Sequence, residues 1–274
     1  MTRLDQMLVA RGLARSRTHA ARLIVEGKVS SGGTTLSKAS LQVEEQTELS
    51  VVEAAEDLYV SRAAHKLAGA LKAFPEIDVH GKRCLDAGAS TGGFTEVLLK
   101  HGAARVVAVD VGHGQLVPQL RSDPRVDVHE GLNVRYMKAD DIGGPAQLTV
   151  ADLSFISLTL VVEPLAACTE PGGDLVLMVK PQFEIGRDRL GRTGVVNSEL
   201  ERRRAVAKVA SAAAGSGLEL RGLAASPLPG QDGNVEYFLW IKRRMVPDLP
   251  KIEGHEAAVA DLLESIWPSP LKNH

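Results

Sequence analysis

Leu4, Leu8 and Val9 recur at helical spacing, and Gly12 can close the helix they predict. A second helix is expected behind a Ser16 cap, where Ala20, Leu23 and Ile24 repeat at three and four. The period then shortens. Val29, the turn Ser31-Gly32-Gly33-Thr34, Leu36 and an alternating region over 41–52 predict short strands joined by tight turns. Ser61 can cap a helix that runs to Phe74 and stops at Pro75. Beyond it, Val- and Leu-rich runs predict strands over 83–89, 105–111, 126–129, 148–152, 174–180, 218–224 and 236–241. Helices are expected over 94–101, 158–168 and 199–214. Buried runs joined by helices indicate an α/β fold, a doubly wound parallel sheet covered on both faces.

The pattern divides the chain into a small α+β domain over 1–56, a linker Asp57-Leu58-Tyr59-Val60, and a large α/β domain over 61–274. A length of 274 residues suits one large and one small domain. The composition, 44% hydrophobic and 24% charged, is that of a soluble globular protein rather than a disordered or membrane one. No apolar run reaches the roughly 18 residues a membrane span needs. The N-terminus has an early acid, Asp5, and no apolar stretch resembling a leader, so a cytoplasmic location is expected. Cys84 and Cys168 lie in apolar surroundings and read as reduced core thiols. Without a Cys/His cluster no metal is expected.

A net charge of -2 would argue against a nucleic-acid partner if it were evenly spread. It is not. Residues 1–40 carry Arg3, Arg11, Arg15, Arg17, Arg22, Lys28 and Lys38 against only Asp5 and Glu26, and residues 41–57 carry acids without a base. Arg15, Arg17 and Arg22 would give the second helix a basic face, or simply a solvated one. Arg3-Leu4-Asp5, Gly12, Ser16-Arg17, Ala20, Leu23-Ile24, Gly27-Lys28-Val29 and Lys38-Ala39-Ser40 resemble the S4 RNA-binding domain. The resemblance implies that Arg3, Arg11, Arg15, Arg17, Arg22 and Lys28 contact RNA. That family usually has Asn-Gly in the turn and Pro after the lysine, where this chain has Gly32-Gly33 and Ala39.

The first strand of the large domain runs through Asp86-Ala87-Gly88-Ala89-Ser90-Thr91-Gly92-Gly93-Phe94 into a helix. Glycines at such a turn let a ligand approach the backbone at the carboxyl edge of the sheet. A dinucleotide fingerprint needs glycine where Ser90 stands. An acid ahead of the loop, Asp86, suits the cationic end of S-adenosylmethionine better than a phosphate. Asp110, ending the second strand, is placed to accept ribose hydroxyls. Asn133 helps hold the adenosine or serves as a turn residue.

Asp152 and Lys180 close the fourth and fifth strands, and Glu236 opens the seventh. If the seventh strand is antiparallel and inserted beside the fifth, all three charges meet at the cofactor edge. A charge after a buried strand is expensive to desolvate unless paired, so each alone also reads as a structural ion pair. Ser61 through Leu67, Asp86 through Phe94, Asp152 through Ser157, Lys180 through Glu184, Ser226 through Gly230 and Gly233 through Phe238 together resemble the TlyA family. Members are ribosomal-RNA 2'-O-methyltransferases, often labelled hemolysins, with an S4 domain ahead of an FtsJ-like domain.

The resemblance implies a Rossmann-like class I methyltransferase sheet of strand order 3-2-1-4-5-7-6. It further implies S-adenosyl-L-methionine held by Asp86, Gly88, Ser90, Thr91, Gly92, Gly93, Phe94, Asp110, Asn133 and Asp152, and a catalytic tetrad Lys66, Asp152, Lys180 and Glu236. The partner it implies is ribosomal RNA within a subunit, methylated on cytidine by a monomer with no membrane span. The family's linker often carries Arg and Trp, unlike Asp57-Leu58-Tyr59-Val60. Two other classes compete with this one: a membrane-active hemolysin, disfavoured by the lack of any long apolar segment, and a non-catalytic RNA-binding module, disfavoured because all four tetrad residues are present.

Overall fold

The structure is a computed structural model, and it describes residues 1–14, 17–52, 59–186, 190–191, 193–230, 232–245 and 254–268. The Arg15 contact, the Ser16 cap and the linker residues Asp57 and Leu58 lie outside the described residues. The chain divides into two compact units, Met1–Leu58 and Tyr59–His274.

In the first unit, α1 (Leu4–Ala10) and α2 (Arg17–Val25) follow the expected periodicity. They close a small core around Leu4, Leu8, Leu23, Ile24, Val29 and Val43. Strand β1 (Thr2–Arg3) pairs antiparallel with β4 (Gln42–Val43), while β2 (Val29–Ser31) pairs with β3 (Thr34–Thr35) and β5 (Ser50–Val51). The alternating region over 41–52 therefore yields only two short strands. A turn interrupts it, with Thr47 N–H donating to the Glu44 carbonyl and Glu44 N–H to Thr47 Oγ1, both at 3.1 Å.

The second unit opens with α3 (Arg62–Ala73) and continues as β6 (Arg83–Ala87), α4 (Gly93–Lys100), β7 (Arg105–Asp110), α5 (Pro118–Arg121) and β8 (Val126–Glu130). After β9 (Ala146–Ala151) come α6 (Val162–Ala167), β10 (Thr169–Val179), α7 (Pro181–Glu184), α8 (Glu199–Gly215), β11 (Glu219–Ala225), β12 (Tyr237–Lys242) and α9 (His255–Glu264). The seven strands lie in the order β8-β7-β6-β9-β10-β12-β11. Neighbours from β8 to β10 are parallel, and β12 runs antiparallel between β10 and β11. The connections reverse direction between β6 and β9, which opens a crevice at their carboxyl ends.

Alternation along the strands sends side chains into two cores. Leu85, Val107, Leu177 and Leu239 face one core, with Val206 and Val209 of α8. Cys84, Val106, Val176 and Phe238 face the other, with Leu67 of α3 and Leu98 of α4. Both cysteines are buried free thiols, and burial pushes them up to about 12 for Cys84 and about 11 for Cys168. Helix α9 was not anticipated from the sequence, although Val259, Leu263 and Trp267 recur at four and pack on the α8 side. The segment expected as one helix over 158–168 is a single 3-10 turn, Leu158–Leu160, followed by the short α6. Among the described residues, no helix is long and apolar enough to cross a membrane.

Candidate active site

The loop after β6 turns sharply through positive φ at Gly88 (+86°), Ser90 (+46°) and Gly92 (+99°). Ser90 thus takes a conformation that usually favours glycine, and its N–H donates to Asp110 Oδ2 at 2.8 Å. A Cβ on Gly88 would stand 2.5 Å from the Asp152 carbonyl oxygen, so only glycine lets the loop lie against the end of β9. A Cβ on Gly93 would run into Ser61 Oγ and stand 2.9 Å from the Ala64 backbone nitrogen, so the start of α3 packs directly on the start of α4.

Two cavities flank this loop. One, of about 480 Å³, is lined by Asp110, Gln115, Leu132, Asn133, Leu153 and Phe155, with Gly88, Ser90, Asp152 and Ser154. The other, of about 550 Å³, is lined by Ser61, Arg62, Lys66, Thr91, Gly93, Phe94 and Lys180, and shares those same four residues. Asp110 fixes the first cavity's end: Oδ2 takes the Ser90 N–H, and Oδ1 takes the Gly112 N–H at 2.7 Å. Each oxygen keeps a lone pair for a ribose hydroxyl. Asn133 lines this cavity and is also a turn residue, its Oδ1 accepting from Arg135 N–H at 3.0 Å.

In the second cavity two lysines are each matched by a carboxylate. Lys180 Nζ stands 2.6 Å from Asp152 Oδ1 and donates to Ser154 Oγ at 2.9 Å. Lys66 Nζ donates to Glu236 Oε2 at 2.6 Å, with Glu236 buried behind it. Asp152, Lys180 and Glu236 lie one residue beyond the strands expected to contain them, since β9 ends at Ala151, β10 at Val179 and β12 begins at Tyr237. Leaving the ladder frees these side chains from the strict alternation of the sheet.

Three residues expected at the site line neither cavity: Asp86, Gly92 and Glu236. A Cβ on Gly92 would meet Leu116 and Leu120, so its role is in shaping the turn. Asp86 is fully buried beneath the loop, where Thr95 Oγ1 donates to Oδ2 at 2.6 Å and Oδ1 has no partner. Burial pushes its carboxyl up to about 7, and the charges of Asp152 and Asp110 add to the shift while the Thr95 bond opposes it. Ser61 is expected only as a helix cap, and Ser154 and Phe155 only as part of a family motif, so the sequence names none of the three as a site residue. Ser61 caps α3 by position only, because its buried Oγ makes no hydrogen bond.

In the first unit, the buried Asp5 gathers two of the arginines. Arg3 donates to both its oxygens at 3.0 and 3.1 Å, and Arg17 to Oδ2 at 3.1 Å. Arg3 above all holds the Asp5 carboxyl down at about 2. Arg11 donates to the Thr47 carbonyl at 2.6 Å and to that of Glu45; Arg22 and Lys28 both pair with Glu26. These bases therefore brace the unit as well as charging its surface. Among the described residues no cluster of three or more His, Cys, Asp or Glu could hold a metal.

Residues 59–243 match the family model of an FtsJ-like methyltransferase, and residues 2–49 match the S4 domain. The chain is 55% identical to the 16S/23S rRNA (cytidine-2'-O)-methyltransferase TlyA of Mycobacterium tuberculosis, over 88% of this chain and 89% of that one. It is 36% identical to hemolysin A of Brachyspira hyodysenteriae, over 86% of this chain and 98% of that one. A hemolysin-named structure from Streptococcus thermophilus superposes with a TM-score of 0.71 at 35% identity, covering 96% of this chain and 94% of its own. The chain belongs to the FtsJ-like methyltransferases, within the TlyA family that carries an S4 domain at its N-terminal end.

Proposed function

We propose that this protein transfers the methyl group of S-adenosylmethionine to the 2'-hydroxyl of cytidine in ribosomal RNA, acting on ribosomal subunits. The observation that carries the reading is the second cavity, whose wall beside the glycine loop includes both Lys180 and Lys66, each held by its own carboxylate. The cytidine and the ribosomal target follow the activity named for the Mycobacterium tuberculosis relative. Both lysine pairs come from one chain, and ribosomal RNA is met in the cytoplasm, so the reading includes a cytoplasmic monomer.

The residues present fit the cofactor. Asp110 offers free lone pairs to a ribose, Leu132 and Leu153 give apolar walls to an adenine, and the unpartnered Ser61 Oγ can serve the methionine carboxylate. When bound, S-adenosylmethionine would supply an electrophilic methyl carbon, with the neutral thioether sulfur as the leaving group. The ribose oxygen forms the new carbon–oxygen bond and gives up its proton. Lys180, acting as the neutral amine and aimed by Asp152 and Ser154, holds that oxygen and takes the proton, becoming the ammonium that Asp152 then neutralises. Lys66, anchored by Glu236, adds a positive charge to the wall where negative charge develops on the oxygen. Much of the acceleration comes from fixing oxygen and methyl carbon in line, which requires the nucleotide to leave its stack. The first unit supplies affinity through phosphate contacts.

Incubating whole subunits with labelled cofactor, then digesting both RNAs to nucleosides, tests the proposal. The expected product is 2'-O-methylcytidine. Label confined to a base, or none in either RNA, would overturn the reading.

A further inference from the structure

The segment that follows β9 and the turn that follows β10 are fastened together at two places. At the cavity, Lys180 meets Asp152 and Ser154. Behind the cavity, Glu184 of α7 accepts a hydrogen bond from Ser157 Oγ on Oε2 at 2.5 Å and from Leu158 N–H on Oε1 at 2.7 Å. Lys208 of α8 donates to the Glu184 backbone carbonyl at 2.8 Å and stands 3.8 Å from its Oε2. Between the two fastenings Phe155 sits at φ +64°, with its ring 5.3 Å from that of Phe183.

Glu184 is only 3% exposed, and burial pushes its carboxyl up against the pull of its hydrogen bonds. A buried carboxylate is a poor choice for stability alone, because desolvation opposes it and an apolar residue of similar volume does as well or better. Both of its side-chain hydrogen bonds go to the segment that carries the aiming groups of Lys180. A bulky residue at positive φ persists only where its surroundings over-determine it, and Phe155 lies inside that fastened span.

We propose that Glu184 is a positioning residue, a latch that holds the 153–158 segment to the Lys180 turn and so fixes where Asp152 and Ser154 aim the amine. The inference rests on the reading of this cavity as the methyl-transfer site. Misplacement of a catalytic group by about 1 Å costs about 100-fold in rate, so a loosened latch is felt in the chemical step.

The test uses the full-length protein, with Glu184→Gln and Ser157→Ala as variants. Hydrogen exchange over 153–158 reads the latch. Single-turnover methyl transfer to whole subunits at saturating S-adenosylmethionine reads the chemistry, separating the rate constant from the active fraction. Both variants are expected to speed exchange at the Leu158 amide and to lower the rate constant, Glu184→Gln by about 10- to 100-fold and Ser157→Ala by less. A merely structural role would lower the active fraction and leave the rate constant of the remainder at the wild-type value, and that result would overturn the proposal. Should Glu184→Gln fail to fold, Ser157→Ala decides by the same criterion. If wild-type protein transfers no methyl group, the functional reading fails instead, and unchanged exchange in the variants would then overturn the latch itself.

Discussion

Lys180 Nζ lies 2.6 Å from Asp152 Oδ1, although 28 residues separate the two in the chain and neither belongs to the strand that presents it. Parallel pairing of β9 with β10, with Ala151 opposite Leu177, brings both strands out at the same edge. The glycine loop after β6 emerges there too, with Ala87 opposite Ala151. Antiparallel β12 pairs Tyr237 with Val179, which delivers Glu236 to that edge from the opposite direction. Sheet register alone thus gathers Asp152, Lys180 and Glu236 from three distant stretches of chain.

The buried Asp86 predicts a proton linkage. Its carboxyl stands near 7 in the fold against an ordinary 3.8, so it favours folding fully below about pH 4, and that contribution is lost as pH rises through 7. A cation bound over the loop reverses the preference by favouring the ionised form. Binding of S-adenosylmethionine should release a proton near pH 6 and none above pH 8, and affinity should rise with pH across that window. Calorimetry in buffers of different ionisation enthalpy measures the release. Asp86→Asn should abolish it; a release that persists in that variant would assign the linkage to another group.

Phe155 is 91% exposed at the rim of the first cavity while its backbone is held at positive φ, a combination suited to a surface that meets a base. Phe155→Ala should reduce kcat/KM on subunits by about 10-fold or more, since stacking on an aromatic ring is worth about 1–3 kcal/mol per base. Phe155→Tyr should retain most of the activity. Equal losses in the two variants would place the effect in the backbone rather than the ring.

Asp5 braces Arg3 and Arg17 together, which changes how the RNA-binding face is best probed. Charge reversal at Arg17 would set two carboxylates side by side, so a neutral Arg15→Gln, Arg17→Gln pair is the cleaner variant. It should weaken subunit binding most at low salt and lower the slope of log affinity against log salt by about 1 for each phosphate that is no longer neutralised. Cofactor affinity should not move. Filter binding across a salt series gives the slope, and an unchanged slope would remove these two residues from the RNA interface.

Much of this site is legible in the sequence because strand ends are. Asp110, Asp152 and Lys180 each follow a Val- or Leu-rich run, and in a parallel sheet such ends share one edge. Asp86 shows the limit of that reasoning. Its place before the loop is plain, but which side of the strand it faces depends on register, and alternation turns it under α4 toward Thr95. Ser61, Ser154 and Glu184 carry no such signal, because their roles depend on partners 26 or more residues away or on a hydroxyl left without one. The pairing of Arg3 and Arg17 through Asp5 is hidden likewise, since a charge count treats every base as free.

The most direct test of the account is single-turnover methyl transfer to whole ribosomal subunits by wild-type, Lys180→Ala and Lys180→Arg proteins, with S-adenosylmethionine affinity measured alongside. Lys180→Ala should fold and bind the cofactor nearly as wild type does while losing about 10²- to 10⁴-fold in rate, the usual contribution of a positioned proton acceptor. Lys180→Arg should not restore the rate, because a guanidinium keeps the charge and cannot accept a proton. Partial rescue by arginine would make Lys180 a stabiliser of charge rather than a base. Near-normal turnover by Lys180→Ala would contradict the account and leave the pairing of Lys180 with Asp152 as a structural ion pair.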